Sequence, residues 1–201
     1  MRAITRPAAV IACLSILVAG GRPAFGGTPL VAVGPRVSVY GANLSELSLV
    51  RWAVSRYAAA RLELPVLRVY FNDDRTACAG NVALYGAGRI DMCAGLLINL
   101  TTRHTMLHEM AHAWSEGTLT PEEQQRFLDL RGLESWNAGA VPWQTRGWEQ
   151  TADIVAWGIG DGVILPTIPR NDPPSLVAAF EMLTGRAPLV TSGTGSAPLP
   201  A

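Results

Sequence analysis

The 201 residues suit one domain of ordinary size plus its ends, and 49% apolar content is ample for a core. Sixteen basic residues balance sixteen acidic ones without a Lys/Arg run or a basic stripe, which argues against nucleic acid as a partner.

The chain opens with Arg2 and Arg6, then an apolar run from Ala8 to Gly20 that is too short to span a bilayer comfortably. Ala24-Phe25-Gly26 offers small residues around a cut. Residues 1–26 therefore read as a secretory signal peptide cleaved near Gly26, with an uncleaved anchor or a buried helix as the alternative. A secreted protein with no stable membrane association after that cleavage is expected. Val10-Ile11-Ala12-Cys13 is a poor lipoprotein box, because most of the apolar run follows Cys13.

A domain is expected over 27–185. Thr28 to Pro35 is a Gly/Pro-punctuated lead-in. Asn43 with Glu46 makes a capping-box start for a helix ending near Leu62, with Leu47, Val50, Val54 and Tyr57 as its apolar face. Val66 to Phe71 is β-branched and aromatic and reads as a strand, followed by an Asn72-Asp73-Asp74 turn. Asn81–Tyr85 and Arg89–Cys93 flank Gly86-Ala87-Gly88 as a hairpin. Without the leader two cysteines remain, Cys78 and Cys93. In an oxidising compartment they suggest a disulfide tying the loop before the hairpin to its second strand; two buried thiols are the alternative.

Next comes a helix predicted from about Thr102 to Glu116, capped by Thr101 or Thr102 and stopped by Gly117. The sequon Asn99-Leu100-Thr101 sits just before it and is taken as chance. Thr120-Pro121-Glu122-Glu123 opens a helix ending near Arg131. A loop spans Asn137 to Gly147, a helix follows over Trp148–Trp157, and Asp172-Pro173-Pro174 opens a last helix closed by Gly185. Residues 186–201 are Pro, Gly, Ser and Thr and read as a disordered tail. Strand, hairpin, then helices predicts an α+β fold: a small mixed sheet packed on the 102–116 helix, with a helical C-terminal half.

That central helix carries His108-Glu109-Met110-Ala111-His112, which is H-E-x-x-H in a chain with three histidines. Residues four apart share a helix face, so His108 and His112 can point at one metal ion while Glu109 reaches a metal-bound water. Leu107, Met110, Ala111 and Trp114 form an apolar stripe, and both histidines fall outside it, on the side expected to face away from the core. A catalytic zinc site needs a third protein ligand. His104 is eight residues from His112, about 12 Å along the axis, too far to share one ion; lining the approach or capping the helix is expected of it. Glu149 is the better candidate. Asp153, at i+4 from it, can accept the other ring N–H of a ligand histidine. Taken alone, this pair also suits a solvated acidic face or a first-turn carboxylate favoured by the helix dipole.

H-E-x-x-H at 108–112 followed by E-x-x-x-D at Glu149–Asp153 resembles the gluzincin metallopeptidases, in a minimal zincin-like form over roughly Leu44 to Gly158. The resemblance implies Zn2+ held by His108, His112 and Glu149, with Glu109 as catalytic base and Asp153 behind a ligand histidine. It implies hydrolysis of a peptide or protein substrate that pairs with an edge strand, here matched to Arg89–Cys93. The chain departs from that pattern in having no His or Tyr after His112 to stabilise the oxyanion. Arg146, Arg170 and Tyr85 are the remaining candidates. The alternatives are a secreted zinc-binding domain without catalysis, and an accidental motif in a structural domain. Tryptophans 114, 136, 143, 148 and 157 near the motif read as core and loop anchors, or else as an aromatic cleft.

Overall fold

A computed structural model describes residues 30–93, 97–160 and 166–190. The signal peptide read over 1–26 lies outside the described residues. The described chain is α+β, with one five-stranded mixed sheet and five α-helices. In chain order these are β1 (Val31–Val33), β2 (Val37–Tyr40), α1 (Leu44–Ala59), β3 (Leu67–Asn72), β4 (Ala83–Gly86), β5 (Arg89–Cys93), α2 (Leu100–Thr118), α3 (Pro121–Arg131), α4 (Gly147–Ile159) and α5 (Pro173–Thr184). Short 3-10 turns occupy Thr76–Cys78 and Trp143–Thr145.

The sheet order is β1-β2-β3-β5-β4. β2, β3 and β5 run parallel, and β1 and β4 pair antiparallel on the outside. β5 is therefore an interior strand, and the edge beside the hairpin turn is β4. This corrects the expectation that Arg89–Cys93 forms the edge. Pairing order is a long-range property, and nothing within the hairpin's own residues says which of its two strands meets β3. The β1–β2 hairpin was also not foreseen: Gly34 and Pro35 punctuate it so closely that the three residues of β1 and the four of β2 look like loop.

Alternation puts Val37, Val39, Leu67, Val69, Phe71, Ile90 and Met92 on the buried side of the sheet. Asn43 and Glu46 form the expected capping box of α1. α1 then buries Leu47, Leu49, Val50, Ala53 and Tyr57, and the Tyr57 hydroxyl donates to Leu107 O at 2.9 Å, tying α1 to α2. α2 begins two residues earlier than predicted. Its cap is Asn99, whose side chain accepts from Thr102 N–H at 2.9 Å, and not either threonine. Cys78 and Cys93 are bonded, at a sequence separation of 15, so the loop before β4 is fastened to the end of β5.

α4 packs between α2 and α5. Gly158 lets α5 come close, and a Cβ there would sit 2.2 Å from the Phe180 ring. The Gly158 carbonyl also accepts from Leu189 N–H at 2.7 Å and Val190 N–H at 3.2 Å. The chain thus stays packed through Val190 and does not leave the domain at Arg186. Among the described residues no helix is long and apolar enough to cross a membrane.

Phe180 is only 1% exposed and has no room to retreat. Gly158→Ala should therefore destabilise the protein by about 1–3 kcal/mol despite alanine's better helix propensity. Urea unfolding monitored by circular dichroism measures this; equal or higher stability would contradict the packing described.

Candidate metal centre

The site is the seam between α2 and α4. α2 is enclosed far more completely than an amphipathic stripe suggests. Met106, Leu107, Met110, Ala111, Ala113 and Trp114 are all buried, as are Glu109 and His112. The expectation that both histidines face away from the core is thus corrected: the helix's second face is covered by α4. α4 is apolar enough to be buried around most of its girth, and its two acids, one turn apart, are aimed at α2.

Two carboxylates meet the imidazoles there. Glu149 Oε2 lies 3.3 Å from His108 Nε2 and 3.4 Å from His112 Nε2. Asp153 Oδ1 lies 2.9 Å from His108 Nδ1, a full hydrogen bond. A carboxylate only accepts, so His108 donates through Nδ1 and its Nε2 turns toward Glu149 and His112. His112 Nδ1 is buried and has no hydrogen-bond partner among the described residues. Its ring is stacked instead under Trp148, with centroids 4.6 Å apart and planes 12° from parallel. Trp143 covers His108 at 6.3 Å. The remaining tryptophans divide: Trp114 and Trp157 are core, while Trp136 packs edge-on against Trp148.

Burial and charge pull these groups in opposite directions. Burial alone would raise the Glu149 carboxyl, yet the two imidazoles bring it down to about 2. Asp153 likewise falls to about 2, as His104 and His108 outweigh its burial. Burial disfavours a charged His108, but the same carboxylates carry it well above the usual histidine range. Burial lowers His112. Glu109 rises to about 7, mainly through burial, although charge on His108 and the Tyr85 backbone N–H favour its ionised form.

The donor set fits a small divalent cation. His108, His112 and Glu149 each offer a ligand atom within 4.8 Å of the others. Ligands about 2 Å from a tetrahedral ion stand about 3.3 Å apart. The 3.3 and 3.4 Å separations match that edge. His104, His108 and Asp153 form a second such group. There the 2.9 Å His108–Asp153 contact is too short to straddle an ion and is a hydrogen bond.

His104 does not cap the helix, a task that falls to Asn99; its Nε2 stands 3.3 Å from Asp153 Oδ1. Its i, i+4 relation to His108 was the available signal. None of the three oxyanion candidates is free. The Tyr85 hydroxyl bonds Glu116 and accepts from Gly88 N–H. Arg146 donates to Val141 O and Gly139 O. Arg170 donates to Leu130 O. The influence of the Tyr85 backbone N–H on Glu109 was not foreseen, because it depends on which strand forms the sheet edge. No family model, curated protein or solved structure matches the chain.

Opposite pH responses are expected of the metal-free protein. Glu149 and Asp153 are depressed on folding, so their stabilisation is present above their unfolded range near 4 and is lost as pH falls through about 2. Glu109 is raised, so stability on its account is full below about 4.5 and is lost as pH rises through about 7. In chelator, Glu109→Gln should therefore melt higher than wild type at pH 8 and no higher at pH 4. Thermal scans across that range decide it; a Glu109→Gln advantage that is the same at both pH values would refute the assignment.

Proposed function

We propose that the chain is a secreted zinc-dependent peptidase of the gluzincin type, with a minimal zincin-like fold. The observation that carries the metal reading is the tetrahedral-edge spacing of His108 Nε2 and His112 Nε2 about one Glu149 oxygen. Two imidazoles and a carboxylate are the ligand chemistry of catalytic zinc. When bound, zinc supplies Lewis acidity, polarising a carbonyl and lowering the pKa of a water molecule at the site.

The chain's own residues do the rest. Asp153 holds the His108 tautomer that leaves Nε2 as a lone-pair donor. Glu109 follows His108 directly in sequence and is the proton carrier. Beside a dication its ionised, accepting form is favoured, and its partly desolvated carboxyl returns the proton to a leaving amine. Trp148 and Trp143 keep bulk water from the imidazole faces.

The sheet edge supports a peptide over other amides. Val82 O accepts from Cys93 N–H at 2.8 Å, so the carbonyl of 82 faces β5. Alternation along β4 then turns the peptide groups of Ala83 and Tyr85 outward. β4 packs against α2, and the Tyr85 backbone N–H favours the ionised form of Glu109, so this edge runs beside the proposed base. An extended peptide adding there would carry its backbone to the site. The Cys78–Cys93 disulfide supports an oxidising destination.

A second reading, a zinc-binding domain of the same fold without catalysis, draws on the engagement of Tyr85, Arg146 and Arg170 elsewhere. Digestion of a peptide library by zinc-loaded protein, with and without chelator, separates the two; no chelator-sensitive cleavage favours the second.

Three substitutions divide the roles. Glu109→Gln should keep one zinc per chain and lower hydrolysis at least about 100-fold. Glu149→Ala should lose most of the zinc by elemental analysis, and native affinity in that variant would make the ligand assignment wrong. Asp153→Asn should weaken zinc binding about 10–100-fold in a chelator competition.

A further inference from the structure

His104 stands one turn before His108 on the same side of α2. Its Nε2 is 3.3 Å from Asp153 Oδ1, the oxygen that also takes the His108 Nδ1 proton at 2.9 Å. Asp153 has a side chain only 7% exposed and His104 one only 17% exposed, so water replaces neither partner easily. The two rings approach that oxygen with centroids 6.5 Å apart and planes at 45°. An ionised carboxylate has no proton to give, so both nitrogens facing it carry N–H. That assigns His104 to the Nε2–H form, with the nitrogen that faces the site committed to Asp153 and withheld from any metal.

We infer that His104 is a positioning residue for the metal centre: its Nε2–H pins Asp153, and Asp153 in turn fixes the tautomer and ring plane of His108. The inference rests on the metal reading above for its consequence, and on the hydrogen-bond geometry alone for the tether itself. With only His108 to hold it, the Asp153 carboxylate could rotate about its own side-chain torsions and release the His108 ring. With His104 on a second side, rotation breaks two contacts. The His104 contact is the longer of the two, so its loss is the smaller effect.

The test uses the full chain with histidines labelled in 15N. Zinc affinity is measured by competition with a chromophoric chelator for wild type, His104→Ala, His104→Gln, Asp153→Asn and the His104→Ala/Asp153→Asn double variant. His104→Ala should bind zinc about 3–10-fold more weakly, below the range typical for direct partners of a ligand histidine. His104→Gln, whose amide can still donate to Asp153, should recover most of that loss. In the Asp153→Asn background the alanine substitution should add no further loss. Unchanged affinity in His104→Ala, or an equal loss with and without Asp153, overturns the proposal.

Should His104→Ala not fold, long-range 1H–15N spectra of the wild type decide. They should show a proton on Nε2 of His104 and on Nδ1 of His108, each shared with Asp153. In cadmium-113-loaded protein, metal coupling should appear at Nε2 of His108 and His112. Coupling at His104, or a proton on its Nδ1 instead, sinks the tether. A wild type that binds neither zinc nor cadmium but shows those two N–H groups upholds the tether and discards the metal reading, so the two can fail separately.

Discussion

The contact between His108 Nδ1 and Asp153 Oδ1 organises everything else at this site. It joins two helices across 45 residues of chain, at 2.9 Å, with both side chains mostly removed from water. Such a bond does two jobs. It compensates burial of a carboxylate, which would otherwise be strongly unfavourable. It also decides which ring nitrogen keeps a lone pair, and so which way His108 can act. Glu149 and Asp153, one turn apart on α4, meet the imidazoles from one face of that helix.

α4 itself is held by devices remote from the histidines. Gly158 permits the close approach of Phe180 on its far side. At its near end Arg131, only 4% exposed, donates to the side-chain oxygen of Gln150, the residue after Glu149. The remaining Arg131 nitrogens donate to the backbone carbonyls of Pro169 and Arg170. A planar guanidinium serves these three acceptors at once, as an ammonium could not. The segment returning toward α5 is thereby anchored to the residue beside the proposed ligand.

How much of this was legible in the sequence varied with the range of the signal. Capping chemistry was read directly: Asn43 with Glu46, Thr120 with Glu123, and Asp172 each cap the helices expected of them. The H-E-x-x-H spacing located His108 and His112 on one face, and the i, i+4 pair located Glu149 and Asp153, because helical period is local. What escaped was set by tertiary pairing. Asn99 outcompeted the threonines as cap of α2. Three-residue β1 was too short for alternation to show, and the order β3-β5-β4 left no trace in the hairpin's own residues. The enclosure of His112 could not be inferred from α2 alone, since the covering face belongs to α4.

β4 is four residues long and is bounded by constraints at both ends. The Cys78–Cys93 bond fastens the region where the strand enters, and the Tyr85 hydroxyl is held by Glu116 where it leaves. At about 3.3 Å per residue this track is on the order of 13 Å. A bare sheet margin ordinarily invites neighbouring copies to stack in register, and brevity is one way natural proteins prevent it. On the reading proposed above, the same shortness would ration recognition: a guest strand would find room for a few amides and no more, and its identity would be read from the handful of side chains that flank them.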